Sequence, residues 1–524
     1  MSFINTLSTT LAKILPDTTF EAIAWVTIAL CAYTIGLGIY RLYLCPHARF
    51  PGPSLAALTY WYEYYYDVTL GGKYIFRIEE LHKQYGPVVR INPYELHIND
   101  PDFFSEIYHN NKWITHRDRW YNLDHLGDGL AFTMHHDLHR ERREPLAPYF
   151  SMQSIRALEP RITGVVTNMV TRMQRALQDD EVLVMYRLGT AFAMDVITEY
   201  AFGKEGATNM MLKPEMGAEW SDMTKETIQV NPFARQFKWL TATLATLPSA
   251  WVLRLNPKLA GYVHWKEKLL EQVRRIVAEH SEANDDSKGS GYEDNIFHHL
   301  LDSDLSTADK GEMRLTDEAS MIVGAGGETT AQVIGRAFYH ILDNPEVLVK
   351  LRAELIGAIP DAKVMPSLRT LQNLPYLSAV VEEAVRIALP LLARSPRMFE
   401  DHALQFDGWR IEPGIAVSTS PYVVSTNERV FPEPFKFRPE RWLGDAGKEL
   451  QKYAVTFGKG RRGCLGKNLG YVELWFALGV AFRRFELELY ETTIEDVTVV
   501  HDFFIGVTEL SSKGVRAKVV RELS

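Results

Sequence analysis

Residues 457–466 read FGKGRRGCLG, and no other stretch of the chain constrains its chemistry as tightly. Four glycines, at 458, 460, 463 and 466, let the backbone fold closely around one sulfur, that of Cys464. A helix is expected to start just after the cysteine. Amides of the loop and of that helix N-terminus would then hydrogen-bond the sulfur and hold it ionised. Arg462 adds positive charge beside it. No second cysteine lies within reach in sequence, which excludes a zinc or iron–sulfur site of the CxxC type. A phosphate-binding loop would end in GK(S/T), and this one does not. The plainer alternative is a buried, inert cysteine.

Upstream, between Glu318 and Arg336, Glu328 is the only charged residue in an otherwise uncharged stretch, ASMIVGAGGETTAQVIG. A helix that is apolar all round is buried in the middle of a large protein. Gly324, Gly326 and Gly327 would permit a kink or let another group approach the backbone. Thr329 is placed to bond back to the carbonyl of Ala325. The expected result is a pocket holding a carboxylate and a hydroxyl side by side, which is what proton delivery to a bound ligand requires. A glycine-rich packing crossing, with Glu328 satisfied by a distant Arg, is the competing reading.

Together these stretches resemble the cytochrome P450 family. Phe457, Gly460, Arg462, Cys464 and Gly466 fill every fixed position of its FxxGxRxCxG signature, and residues 325–330, AGGETT, match its (A/G)Gx(D/E)T(T/S) motif. Glu383 and Arg386 form its ExxR pair, and residues 437–442, FRPERW, resemble its FxPERF segment. All four occur in the family's order, and the resemblance runs from the apolar N-terminal segment to the C-terminus. Residues 52–67 (GPSLAALTYWYEYYYD) and 85–98 (YGPVVRINPYELHI) are similar to fungal secondary-metabolism members of the trichodiene-oxygenase-like type.

The resemblance implies a large, mainly α (α+β) fold with small β-sheets and a haem b group whose iron takes Cys464 as axial thiolate. Phe457, in the same loop, is implied to contact the haem. Glu383, Arg386 and Arg441 would form a buried structural network. In the family's WxxxR pattern His139 stands where Trp is usual and Arg143 keeps its place; these two, with Arg397 and Arg462, are the expected partners of the haem propionates. Glu328 and Thr329 would act in dioxygen activation. Arg140 and Arg142, with Lys459, Arg461 and Lys467, form either a solvated basic face or a dock for an acidic reductase. Residues 105–135, Val323, Ala325, residues 391–393 and residues 503–505 are candidate linings of an apolar substrate cavity.

The remainder of the sequence sets this body in context. Residues 22–40 are nineteen consecutive uncharged residues, about 28 Å as a helix, enough to cross a bilayer. Acidic Asp17 and Glu21 before it, and bulky residues after it, favour an uncleaved anchor over a signal peptide. Residues 1–21 then form a flank, 22–40 a transmembrane helix, 41–54 a proline-containing linker, and 55–524 the catalytic domain. Arg41 and Arg49 follow the segment and Lys13 precedes it, which places the body in the cytosol. A single-pass endoplasmic reticulum protein is expected.

Along the body, 75–86 reads as a helix, 87–91 with 95–98 as a hairpin, and 265–280 as an amphipathic helix. Residues 281–291 and 302–312 read as exposed loops, and strand-like segments return near 403–419 and after Glu486. With 57 Lys+Arg against 66 Asp+Glu among 524 residues, the net charge is −9, which argues against general nucleic-acid binding. Three cysteines exclude a disulfide framework.

The function the resemblance implies is insertion of one oxygen atom from O2 into a lipophilic small molecule, a terpenoid or other secondary-metabolite intermediate. Electrons would come from an NADPH–cytochrome P450 reductase, because no flavin or dinucleotide domain fits in the chain. A haem-thiolate isomerase or dehydratase would need no proton relay, so Glu328–Thr329 argues against it. A non-enzymatic haem sensor would leave the same pair unexplained.

Overall fold

The computed structural model describes residues 18–108, 112–120, 122–283 and 295–524. Lys13, Asp17, most of the polar stretch 281–291 and part of 105–135 therefore lie outside the described residues.

The N-terminal helix runs over Thr19–Ile39 and continues as a π turn over Tyr40–Leu44. It thus outruns the uncharged stretch at both ends, and the expected start of the linker falls inside it. The π turn closes with the Cys45 amide donating to Tyr40 O at 2.8 Å. Its base is tied to the body: Arg41 Nη1 donates to Leu58 O at 2.6 Å, and Arg90 Nη1 donates to Arg41 O at 2.7 Å. Nothing in the 18-residue apolar window of this helix is buried by the rest of the chain.

Next come the helix Tyr74–Tyr85 and the antiparallel pair Val88–Arg90 and Glu95–Ile98, with Val88 opposite Ile98. Gly86, at φ +96°, ends the helix and turns the chain into the first strand, and Pro87 bars the helix from continuing. These strands open a five-stranded sheet. It continues through Ala416–Ser418, which runs parallel to Glu95–Ile98, then Arg397–Phe399 and Thr115–Arg117. A three-stranded sheet, Val182–Val184, Arg516–Glu522 and Phe485–Leu489, closes the far end. Residues 404–411 form a separate hairpin.

Between the sheets lies the helical bulk. The central helix, Glu312–Leu342, is helical throughout its 31 residues and buried over most of its length. Around it pack the crossing helix Met185–Phe202, Ala260–Ala283, Pro375–Ala388 and Lys467–Arg484, which share one apolar core with Glu159–Gln178. The crossing helix lies so close that a Cβ on Gly335 would stand 3.2 Å from Tyr186 Cα, and one on Gly327 would stand 2.3 Å from Met194 Sδ. The central glycines therefore serve a close helix approach rather than a kink.

Candidate active site

The cysteine loop is built as its glycines suggest. Gly458 and Gly460 sit at φ +64° and +66°, where a side chain would be strained. The chain reverses between Phe457 and Cys464, and the Cys464 amide donates to Phe457 O at 2.7 Å. The helix Lys467–Arg484 begins immediately after Gly466. Burial pushes the Cys464 thiol up, while the amides of Gly466 and Lys467 and the charges of Arg143 and Lys467 pull it down. The Phe457 ring leans on Tyr471, with centroids 5.2 Å apart. Cys464 keeps accessible surface and is not sealed in the core.

Around that loop gather cations, of which Arg143, Arg397 and Arg462 form no ion pair among the described residues. Arg462 donates to Thr133 O at 2.6 Å and Met134 O at 2.9 Å. Arg397 donates to Ser395 Oγ at 2.8 Å, and Arg117 donates to Ala131 O and, at 3.4 Å, to Ser395 Oγ. Burial, reinforced by Arg397, Arg117 and Arg143, pushes Arg462 down to about 8. Burial and the same arginines push His139 down to about 2, so its ring is neutral at any ordinary pH. Arg397 is buried and Arg462, Arg143 and Arg117 are half-buried, and guanidiniums crowded together in this way favour anionic partners. The two propionates of a haem are such partners, and the cluster adjoins the sulfur through Arg143. On this chemistry the residues present fit a haem group.

Arg117 was absent from the expected set. It lies in the edge strand Thr115–Arg117, paired antiparallel with Arg397. Only that pairing, made across 280 residues of sequence, brings it to the cluster. Its neighbours in sequence carry no signal for it.

On the central helix, Thr329 Oγ1 donates to Ala325 O at 2.8 Å, as its spacing suggests. Ala325 is exposed and Thr329 half-buried, while Val323, Gly327, Glu328 and Thr330 are buried, so the helix turns one short accessible face outward. Glu328 is not on that face. Its carboxylate accepts from Tyr186 Oη at 2.6 Å and from Gln332 Nε2 at 2.8 Å. Burial pushes Glu328 up, and its hydrogen bonds and Arg336 only partly offset this. The expected side-by-side carboxylate and hydroxyl are therefore not found: successive helical residues point about 100° apart. Arg336 does not pair with Glu328 directly, but donates to the carbonyls of Ala388 and, at 2.7 Å, Gly506.

Glu383 holds the expected network together. Arg386 grips it with Nε at 2.9 Å and Nη2 at 2.8 Å, Arg441 Nε reaches it at 3.3 Å, and Trp442 Nε1 donates at 2.9 Å. The Arg438 amide adds a bond at 3.0 Å, and Arg386 Nη1 donates to Ser425 O at 2.8 Å. Glu383 is wholly buried and is shared by both guanidiniums.

Two expectations need correction. Arg142 is neither on a solvated face nor free to dock a partner, because it is buried and bonded to Asp128, Asp309 and Thr133 at 2.8–2.9 Å. Arg140, two residues back, faces solvent beside Asp137. Several candidate lining residues are plain core: Val323, Leu392, Ala393 and Phe503 are buried. Ala325, Leu391, Phe504 and Ile505 keep accessible surface, and Leu391 bridges to Ile505.

Comparison with known proteins agrees with this geometry. The cytochrome P450 family model matches residues 55–506. The chain is 38% identical over 512 residues to cytochrome P450 monooxygenase tpcC of Cochliobolus heterostrophus, covering 93% of this chain and 95% of that one. It is 40% identical to cytochrome P450 monooxygenase sdnE of Sordaria araneosa (93% and 96%) and 35% identical to tryptophan 6-hydroxylase fscE of Fusarium equiseti (93% and 94%). Among solved structures, the haem domain of cytochrome P450DA superposes with a TM-score of 0.67 over 86% of this chain and 93% of that one, at 17% identity, and so shares its fold. The chain belongs to the cytochrome P450 family, the haem monooxygenases whose iron is held by a cysteine thiolate.

Proposed function

We propose that this P450 is anchored by its N-terminal helix and inserts one oxygen atom into a lipophilic small molecule, a terpenoid or another secondary-metabolite intermediate, using electrons from an NADPH–cytochrome P450 reductase. The observation that carries the reading is the set Arg143, Arg397 and Arg462 gathered at Cys464, which form no ion pair among the described residues and suit a propionate-bearing group. When bound, the haem supplies dioxygen activation, with the thiolate donating electron density to the iron.

The chain's own residues do the rest. Cys464 would hold the metal, whose charge keeps the sulfur ionised against burial, while the Gly466 and Lys467 amides hydrogen-bond it. Arg143, Arg397, Arg462 and Arg117 hold the propionates, with neutral His139 as an added hydrogen-bond partner. Thr329 presents a hydroxyl on the accessible face of the central helix, where it can pass a proton inward. Glu328 holds a proton behind it, to be relayed through water. Ala325, Leu391, Phe504 and Ile505 offer apolar contact to a substrate. One relative is named as a tryptophan 6-hydroxylase, so aromatic substrates belong in any screen beside terpenoids. The anchor reading rests on a 26-residue apolar helix left uncovered by the body, and the endoplasmic reticulum with a cytosolic body is the matching location.

The test is reconstitution with a reductase under isotopically labelled dioxygen. One labelled oxygen atom in the product, dependent on NADPH, is expected. Label arriving from water, or turnover without dioxygen, would exclude a monooxygenase.

A further inference from the structure

Glu328 is sealed from solvent, at 3% exposure, yet a group that delivers protons must be refilled after each delivery. Two side chains hydrogen-bond its carboxylate among the described residues. Gln332 is buried and its Oε1 has no partner; an amide is moreover no proton carrier near neutral pH. Trp220 stands beside the carboxylate, but its Nε1 falls short of a hydrogen bond. Tyr186 differs from both: its hydroxyl stands 2.6 Å from Glu328 Oε2 within the core, while the residue as a whole keeps accessible surface.

Tyr186 is the second residue of the crossing helix, whose next side chain, Arg187, is 39% exposed and faces the exposed Asp222 at 3.9 Å. That end of the helix therefore reaches the surface. The Tyr186 backbone lies flush against Gly335, so the tyrosine is fixed to the helix that carries Glu328.

We propose that Tyr186 is the outer station through which protons reach Glu328 from solvent. Its hydroxyl takes a proton from water at the start of the crossing helix as it passes its own to Glu328 Oε2. The phenol is neutral before and after, so the net movement is one proton from solvent to the Glu328 carboxylate, whose charge it cancels. Burial and Glu328 hold the tyrosine far above the ordinary phenol range, so it never rests as a tyrosinate and the two transfers are concerted. Tyr186 acts through Glu328 and touches no substrate. This inference rests on the role in proton delivery proposed above for Glu328.

The experiment reads proton access directly. Infrared spectra of the haem-loaded protein and its Glu328→Gln variant are subtracted, which isolates the Glu328 carboxyl band and cancels other buried acids such as Glu95, Asp195 and Glu473. On transfer to heavy water, that band should shift quickly in the parent. In Tyr186→Phe the shift should slow by about a hundredfold, and Tyr186→His, which restores a proton carrier, should recover speed. An unchanged rate in Tyr186→Phe would overturn the relay, as would the lack of any protonated Glu328 band. Unchanged product per NADPH in Glu328→Gln would instead overturn the oxygen-activation reading, leaving the exchange result legible by itself.

Discussion

The Cys464 amide donates to the carbonyl of Phe457 at 2.7 Å, seven residues back in the chain. That bond closes the loop and leaves the sulfur presented between two glycine-lined flanks and a helix N-terminus. Arg143 and Lys467 stand beside it, so the charge around the sulfur favours its ionised form once a metal takes the place of the thiol proton.

The Glu383 knot is structural, and its loss should show as instability. Glu383→Gln would leave Arg386 and Arg441 buried with one anion fewer. Removing one member of such a buried pair costs roughly 3–5 kcal/mol. Urea denaturation and the yield of haem-loaded protein should both fall sharply.

Thr329→Ala removes the only hydroxyl on the accessible turn and a local bond to Ala325 O. The stability cost should be about 1 kcal/mol. The larger effect should be less product per NADPH consumed, with the difference released as hydrogen peroxide. Unchanged coupling would remove Thr329 from proton delivery.

His340 gives the fold a calculable acid sensitivity. It is buried, stacks on Phe437 at 5.2 Å, and burial pushes it down to about 4. The folded ring therefore stays neutral where an unfolded histidine, near 6.5, already binds a proton. The unfolded state binds more protons between these values, so stability is complete above pH 6.5 and is lost as pH falls towards 4. The loss from this residue is about 3 kcal/mol. His340→Phe should show a shallower decline between pH 6.5 and 4 in denaturation midpoints.

Deleting residues 1–44 removes the apolar helix together with Arg41, whose contacts to Leu58 and Arg90 tie it to the body. The shortened protein should move from the membrane fraction towards the soluble one. No shift would mean that other surfaces dominate membrane contact.

Much of this site was readable from the sequence because its chemistry is local. The loop around Cys464, the Glu383–Arg386 pair three residues apart and the back-bond of Thr329 all follow from short spacing. The helix 75–86, its following hairpin and the small terminal sheets follow from periodicity and turn residues in the same way. What could not be read depends on partners far away in the chain. Arg140 and Arg142 look alike in sequence, but a two-residue step turns the helix by about 200° and sends one to solvent and the other into the core. Arg117 joins the cation cluster only through its strand pairing with Arg397, and Tyr186 meets Glu328 only because two helices cross at glycine contacts. The glycines before Glu328 fit a kink as well as a crossing, and packing decided between them.

The most direct test of the central claim is the carbon monoxide difference spectrum of the reduced protein beside that of Cys464→Ala. A strongly red-shifted Soret band in the parent, absent from the variant, is the expected result and would establish haem ligation by the Cys464 thiolate. The same band persisting in Cys464→Ala, or a parent that binds haem without it, would contradict that assignment.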